Sequence, residues 1–389
     1  MQTNKFLALC FCTFFFVSIA SVCFAQTSGT PTSGSSGNAI GVSNPISFKP
    51  VSESVNLNKP IVTTSVVTTE VVLPDGNKLV TMQTITTTTL KINKKDVVIE
   101  EKILTESKVS DGTVTGTVTK SESLKKYSYD NRANLIGATG TKTSTTTSVD
   151  KSVSTSTTDT YTIINGKALV VKSNTQTTSV NADGSKETST TITDYSGCYD
   201  SGGSLIKAPI GIRDVTGSTP EYTDMMAGVK YAASSYTGHY NMTYTIIGGS
   251  AYVKQMSGST ITKHWDARTN TYVEDNTTTS TVTYNYIQIN GAVLTKSTNA
   301  VSTTTQVTAD AAGNHYTSSS NITTTYTYDQ TTGALVGASG TGTGSGYLLT
   351  WAGNQLYTST IRVTYAIKNK IAVQTAYSEI RTWQLPSKP

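Results

Sequence analysis

Histidine is nearly absent from this chain: three in 389 residues, His239, His264 and His315. No two of them stand at a metal-ligand spacing, so a histidine-built metal site lacks its raw material. Each reads as a satisfied or exposed structural side chain. Cysteine is almost as scarce. Of the four, Cys10, Cys12 and Cys23 fall in an N-terminal apolar run, which leaves Cys198 alone downstream. A lone cysteine excludes an intramolecular disulfide, and without a neighbouring base or cation it makes a poor nucleophile. Charged residues supply 14% of the chain and the net charge of +5 is scattered. Nucleic-acid binding wants a basic stripe, ideally interleaved with aromatics, and none is present. There is no Gly-x-Ser-x-Gly elbow, no Walker loop and no dinucleotide fingerprint. These absences predict a protein that is not an enzyme, with no catalytic, cofactor-binding or metal residues and no cofactor.

Long apolar runs are missing too, with one exception. Lys5 precedes an apolar stretch from Phe6 to Cys23, and Cys23-Phe24-Ala25 then offers a small residue at the −3 and −1 positions before Gln26. That is the pattern of a secretory signal over residues 1–25, which places the mature chain outside the cell or on its surface. The rival reading is an uncleaved anchor, because the run is just long enough to span a bilayer. Lipid attachment at Cys23 is a weaker alternative, since Val22 stands where a small residue belongs. Residues 26–60 are rich in Ser, Gly, Asn and Pro and read as a flexible linker. Residues 61–389 form the predicted folded domain.

What fills that domain is Thr, Val, Ile and Tyr, broken by turn signals. A β-prone run split by a polar turn recurs as TLKINKKDVVI at 89–99, YTIINGKALVV at 161–171, YTIIGGSAYVK at 244–254, YIQINGAVLTK at 286–296 and YAIKNKIAVQT at 365–375. An aromatic-Asp pair alternates with it at Asp130, Asp200, Asp266 and Asp329. The period is about 70 residues, which predicts a tandem β array. Asn165-Gly166, Asn290-Gly291 and Asp183-Gly184 are hairpin signals, because their central residues reach positive φ cheaply. In the first half a turn falls about every 18 residues, counting Asp75-Gly76 and Asp111-Gly112; one double gap predicts a further turn at 148–151. Strands of about 14 residues in one up-and-down meander follow. With Asn165-Gly166 as a two-residue turn, Ile164 faces Lys167, Ile163 faces Ala168, Thr162 faces Leu169 and Tyr161 faces Val170. The expected core is a packed zone near the Asn-Gly ends, with neighbouring repeats burying each other's apolar faces.

Three segments need separate readings. An insertion at about 205–240 holds the one predicted helix, from Pro220 to about Ala233, with Ser218 and Glu221 at capping-box spacing and Thr237-Gly238 as the stop. It either covers a sheet edge or carries the specific function. The run Gly340-Thr341-Gly342-Thr343-Gly344-Ser345-Gly346 reads as a flexible loop rather than a phosphate cradle. Asn181 through Ser185 reads as a hairpin turn, since the distal ligands of a Ca²⁺ loop are missing.

YSYDNRANLIGATGTKT at 127–143 and YTYDQTTGALVGASGTGT at 326–343 resemble the YD repeats of bacterial Rhs-type and related surface or secreted proteins. CYDSGGSLIKA at 198–208 and HWDARTNTYV at 264–273 are degenerate copies. The resemblance implies β-hairpins in an extended extracellular structure, with Asp130 and Asp329 holding the turns. The copies here are about 65 residues apart rather than closely tandem, and no toxin-like or protease-like segment follows them.

The function expected from all this is an exported, non-enzymatic β-repeat protein, a structural or adhesive element at the cell surface or outside the cell. Its partner would be a surface, a glycan or another protein, and not nucleic acid. An outer-membrane β-barrel is the first alternative, and the only one that brings membrane contact. The second is a Thr/Tyr-rich polysaccharide-binding surface, which requires Thr-x-Thr rows in register on one exposed face.

Overall fold

A computed structural model describes residues 59–72, 78–110, 118–148, 151–224, 229–307, 316–350, 353–368 and 371–383. The signal, nearly all of the linker, Asp75-Gly76, Asp111-Gly112, Asp150, His315 and the Asn369-Lys370 turn lie outside the described residues.

The chain builds one antiparallel sheet of 17 strands. Its first half comprises β1 (Ile61–Val72), β2 (Lys78–Ile92), β3 (Lys95–Ser110), β4 (Val118–Tyr129), β5 (Leu135–Thr147), β6 (Lys151–Ile164), β7 (Lys167–Asn181), β8 (Lys186–Asp194) and β9 (Ile210–Thr219). A two-stranded excursion follows, β10 (Tyr222–Asp224) paired with β11 (Val229–Tyr231). The sheet resumes with β12 (Ser234–Ile247), β13 (Ser250–Asp266), β14 (Thr271–Ile289), β15 (Ala292–Gln306), β16 (Thr317–Tyr328), β17 (Leu335–Thr350), β18 (Gly353–Lys368) and β19 (Ile371–Trp383). Every strand pairs with its neighbour in the chain, and β9 pairs directly with β12 across the excursion. β1 and β19 are the two edges and do not pair with each other, so the sheet is open and the barrel alternative is not the fold formed.

Strands this long, up to 19 residues in β14, follow from unbroken runs of β-branched and aromatic residues. They are regular because turn chemistry fixes both ends. The register at Asn165-Gly166 is the one the two-residue turn requires: Ile164↔Lys167, Ile163↔Ala168, Thr162↔Leu169, Tyr161↔Val170. Beyond it the ladder shifts by one residue, leaving Val171 as a bulge. The same bulge recurs in the hairpins of β2–β3, β4–β5, β12–β13, β14–β15, β16–β17 and β18–β19, each time on the returning strand a few residues past the turn. A bulge inserts one unpaired residue and sharpens the local twist.

Antiparallel partners share a face, so the ladders assign every side chain to one of two surfaces. One row reads Thr193↔Gly211↔Met242↔Met256↔Val282↔Ala300↔Ile322↔Gly342↔Ile361. This is the tyrosine face, which also carries Tyr161, Tyr240, Tyr244, Tyr284 and Tyr357. The adjoining row on the other side reads Thr141↔Thr158↔Asn174↔Ile192↔Ile212↔Asn241↔Ser257↔Thr281↔Val301↔Asn321↔Thr343↔Thr360. This is the threonine face.

The structure corrects several expectations. No helix exists among the described residues: Ser218 ends in β9, and 220–233 holds the β10–β11 pair instead. Capping-box spacing was outweighed by β-branched and aromatic neighbours (Val215, Thr216, Tyr222, Thr223, Tyr231) and by Gly228. Gly340 to Gly346 is not a loop but the middle of β17, because Gly-Thr alternation has period two and sends every glycine to one face. Trp265-Asp266 does not alternate with the hairpin turns at their end of the sheet. It closes β13–β14 at the opposite end, and takes with it the one bulge, at Asp275, found at that end among the described ladders. The repeat is thus out of phase by one strand between Gly248 and Asn290.

Packing also differs from expectation. Repeats do not stack; each strand packs on its hydrogen-bonded neighbours, and β5 with β7 and β17 with β19 approach across the strand between them. The buried cluster of Tyr240, Met256 and Val282, flanked by Val215, Met242, Tyr284 and Ala300, lies mid-strand rather than at the Asn-Gly ends. A second buried set, Tyr357, Ile361 and Val363, sits on β18 beside the glycines of β17. In both places a ring or branched chain leans over a neighbouring glycine. A Cβ on Gly140 would meet the Tyr161 hydroxyl at 2.6 Å, one on Gly211 the Tyr244 hydroxyl at 2.8 Å, and one on Gly346 the Tyr357 hydroxyl at 2.9 Å. Aromatic cover of strand glycines gives this sheet its core without a second layer.

Candidate functional site: the threonine face and its turns

The turns come first, because they hold the faces in register. Asn165 and Gly166 stand at φ 49 and 71, and Asn290 and Gly291 at 50 and 78. Asn93-Lys94 and Gly248-Gly249 have the same two positive φ values in a row. The aromatic-Asp turns work differently. Asp130 Oδ1 accepts the backbone N–H groups of Arg132 and Asn134 at 2.9 and 2.8 Å. Asp329 Oδ1 accepts those of Thr331 and Thr332 at 3.0 and 2.7 Å. Asp200 accepts Ser204 N–H at 2.8 Å and Asp266 accepts Arg268 N–H at 2.9 Å. Asp183 takes both the N–H and the hydroxyl of Ser185, at 2.8 and 2.6 Å, with Gly184 at φ 83. These bonds favour the ionised carboxylates. The pKa of Asp130 is held down chiefly by Asn134, that of Asp183 by Ser185, that of Asp266 by Arg268 and that of Asp329 by Thr332. In each case Oδ1 is engaged with its own turn, and at Asp130 so is Oδ2, which is a structural use of the carboxylate.

Neighbouring turns are tied together. Asn165 Nδ2 donates to Ser201 O at 2.9 Å, and Asn290 Nδ2 to Thr331 O at 2.7 Å. The tyrosine of each aromatic-Asp pair donates to a carbonyl of the preceding strand: Tyr129 to Val98, Tyr199 to Val170 and Tyr328 to Thr295, at 2.9, 3.0 and 2.8 Å. Trp265 instead sets its ring edge-on to Tyr272 at 5.2 Å.

The threonine face lies between these turns. Along β5, β6 and β7 its members Thr139, Thr141, Thr143, Ser154, Ser156, Thr158, Asn174 and Gln176 are exposed. Neighbours stand about 4.8 Å apart across strands and about 6.7 Å apart along them, a regular grid of hydroxyls. Across β15–β19 the same face holds a shallow hollow of about 490 Å³, lined by Ser319, Asn321, Thr343, Ser345, Thr358 and Thr360 among others, with no charged side chain on its wall. Ser319 and Ser345 bond hydroxyl to hydroxyl at 2.8 Å, and Asn299 Nδ2 holds Asn321 Oδ1 at 2.7 Å. Charge on this face is concentrated at β3 and β4, where Lys102–Glu122, Lys126–Glu100 and Lys120–Glu106 pair at 3.0, 3.6 and 3.7 Å. Such exposed pairs fix register more than they stabilise.

Chemistry-bearing groups elsewhere are occupied or sheltered. His239 Nδ1 lies 2.6 Å from Asp214 Oδ1, and His264 Nδ1 lies 2.5 Å from Asp275 Oδ1, on the bulge rather than at Asp266. Cys198 is buried, its thiol pKa pushed up by desolvation. Among the described residues no group of three His, Cys, Asp or Glu could hold a metal ion. Sequence reasoning allowed for bulges but did not place them, and it missed the Tyr-over-Gly contacts. The recurring tyrosine four residues before the Asn-Gly turn was a signal for the first. Nothing in a linear reading places Gly140 beneath Tyr161.

No family model, no curated protein and no solved structure matches this chain.

Proposed function

We propose that the chain is an exported, non-enzymatic β-repeat protein that acts as a structural or adhesive element outside the cell, with the threonine face as its contact surface. The observation that carries this reading is the segregation of side chains. Tyr161, Tyr240, Tyr244, Tyr284, Tyr357, Met242 and Met256 lie on one side, and the other side presents uncharged hydroxyls and amides in register over many strands. A regular, neutral hydroxyl grid matches an extended polyhydroxylated surface better than a small ligand, because each contact is weak and affinity comes from many at once. An insoluble polysaccharide is the partner class this favours.

The test is co-sedimentation of residues 26–389 with insoluble polysaccharides, comparing the wild type with a Thr141→Glu, Thr158→Glu, Thr343→Glu, Thr360→Glu variant. Retention of the wild type on at least one polysaccharide, with about a tenfold loss in the variant, is the expected result. Equal retention of both, or retention of neither, would overturn the threonine face as the contact surface.

A further inference from the structure

We propose that β1 is a self-association edge, through which the protein pairs with a second copy of itself, antiparallel about a two-fold axis normal to the sheet. One side of β1 is bonded to β2 along its whole length, from Ile61↔Thr89 to Val72↔Lys78, with no break in register. The other side offers a full row of backbone N–H and C=O groups and has no partner strand among the described residues. Residues 61–70 are exposed throughout, and Ile61, Val62, Val66 and Val67 are 57, 61, 50 and 43% exposed.

Proteins blunt such edges with lysine, proline or a bulge. β1, IVTTSVVTTEVV, has none of these, and its single charge, Glu70, is neutralised by Lys78 at 2.7 Å. The opposite edge is treated differently. β19 carries a bulge at Thr375 and a Glu379–Arg381 pair. The two edges are therefore not equivalent, and β1 is the one left adhesive.

Strand parity then chooses the partner. Seventeen is odd, so β1 and β19 run in the same direction, and joining β19 of one copy to β1 of the next by translation would give a parallel pair. An antiparallel pair, the more stable per residue, that also keeps both copies' tyrosine faces on one side needs like to meet like. A two-fold axis normal to the sheet supplies it and sets β1 against β1 with both tyrosine faces on one side. The threonine faces then run on as one surface across both copies. Such an axis pairs residues of equal parity, so Val66 and Val67 near the strand centre lie close to their own counterparts.

Sedimentation velocity of residues 26–389 tests this. The wild type should run as a dimer at roughly 10 μM, and Val66→Lys should weaken association by about tenfold or more with an unchanged far-UV spectrum. Ile380→Lys on β19 should leave the dimer intact. Cys198 is buried, so Val66→Cys and Val67→Cys report on the interface cleanly: at least one should oxidise to a covalent dimer, and Ile380→Cys should not. A wild type that stays monomeric to about 100 μM, as it would if its own N-terminal segment covered the edge, overturns the proposal. So does a dimer that Val66→Lys leaves intact, or one lost in Ile380→Lys.

Discussion

The tyrosine and threonine faces are made by the same strands and the same backbone ladder, yet they solve opposite problems. On the tyrosine face large side chains stand beside glycines, so each ring covers its neighbour's bare backbone and shelters the methyl and thioether groups around it. On the threonine face of β5 to β7 the positions are held mainly by short hydroxylated and amide chains, which stand exposed rather than covering one another. β17 shows both in one segment: Gly340, Gly342, Gly344 and Gly346 lie on one side and Thr341, Thr343 and Ser345 on the other. A single layer can therefore own a core if size is distributed unevenly across one face. The other face is then free to remain polar without weakening the fold.

The sharpest way to break the comparison is to add bulk where glycine is obligatory. A Cβ on Gly258 would stand 1.9 Å from the His239 carbonyl oxygen and 2.7 Å from Tyr240 Cα. Both are backbone or close to it and cannot swing away. Gly258→Val should cost about 4 kcal/mol or more, as severe overpacking does. Ser257→Val, one residue away on the threonine face, should change stability by less than about 0.5 kcal/mol, because valine is a good strand former there. Urea denaturation of the two variants measures both. Equal costs would show that the faces are not distinct.

Removing bulk is the complementary experiment. Ile361 is 2% exposed, on β18 beside Gly342 and Gly344. Ile361→Ala should cost about 2–4 kcal/mol, whereas Thr360→Ala on the exposed side should stay within about 0.5 kcal/mol.

How much of this was legible beforehand differs between the elements. The meander and the register at Asn165-Gly166 were readable, because turn chemistry and period-two alternation are local. The Gly-Thr alternation of 340–346 was present but misread, since glycine content was given more weight than its period. The helix at 220–233 failed for a similar reason: a cap and a proline are weak signals beside the β preference of the residues around them. Trp265-Asp266 was recognisable as a turn, but which end of the sheet it closes depends on counting every strand before it, and one missing hairpin moves it to the far side. The core was not legible at all. Tyr161 over Gly140 and Tyr244 over Gly211 join residues on different strands, and only the assembled ladder brings them together. The threonine grid could be anticipated as rows, and the hollow over β15–β19 could not.

Titration separates the faces by their ionisable groups. The phenols of Tyr161, Tyr195, Tyr236, Tyr244 and Tyr326 all have pKa values raised by burial, and that of Tyr284 is pushed up to about 12 for the same reason. A phenol raised above its unfolded value of about 10 stabilises the fold fully below that pH. Between about 10 and 12 the unfolded chain loses protons that the native state keeps, so stability falls as pH rises; Tyr284 alone is worth on the order of 2 kcal/mol across that window. The turn carboxylates act in the opposite direction. Their lowered pKa values contribute stability above the ordinary carboxylate range, lost as pH falls through the folded values. Because these groups are exposed, the acid loss should be much the shallower. Unfolding midpoints from pH 2 to 12 would check this, and a steeper acid limb than alkaline limb would contradict the assignment of a buried tyrosine face.

The smallest effect is expected at the turn that assigns the faces. Gly166 stands at φ 71 with nothing within 4 Å of a built Cβ. Gly166→Val therefore meets no clash and costs only the strain of a β-branched residue at positive φ, about 1–2 kcal/mol. Ser144→Val, within β5 opposite Thr155 and at no positive-φ position, should be nearly neutral. The informative readout is the register rather than the stability. A one-residue slip in β6–β7 would carry Tyr161 off its face and away from Gly140, and its phenol would return toward the ordinary tyrosine range. Alkaline difference absorbance should show no such return, because the bulge at Val171 and the bond from Asn165 Nδ2 to Ser201 O hold the hairpin in place independently of residue 166. If Gly166→Val lowers the phenol titration and Asn165→Ala does not, the turn glycine alone sets the register. If neither variant alters stability, the two-residue turn is not what divides tyrosine from threonine in this sheet.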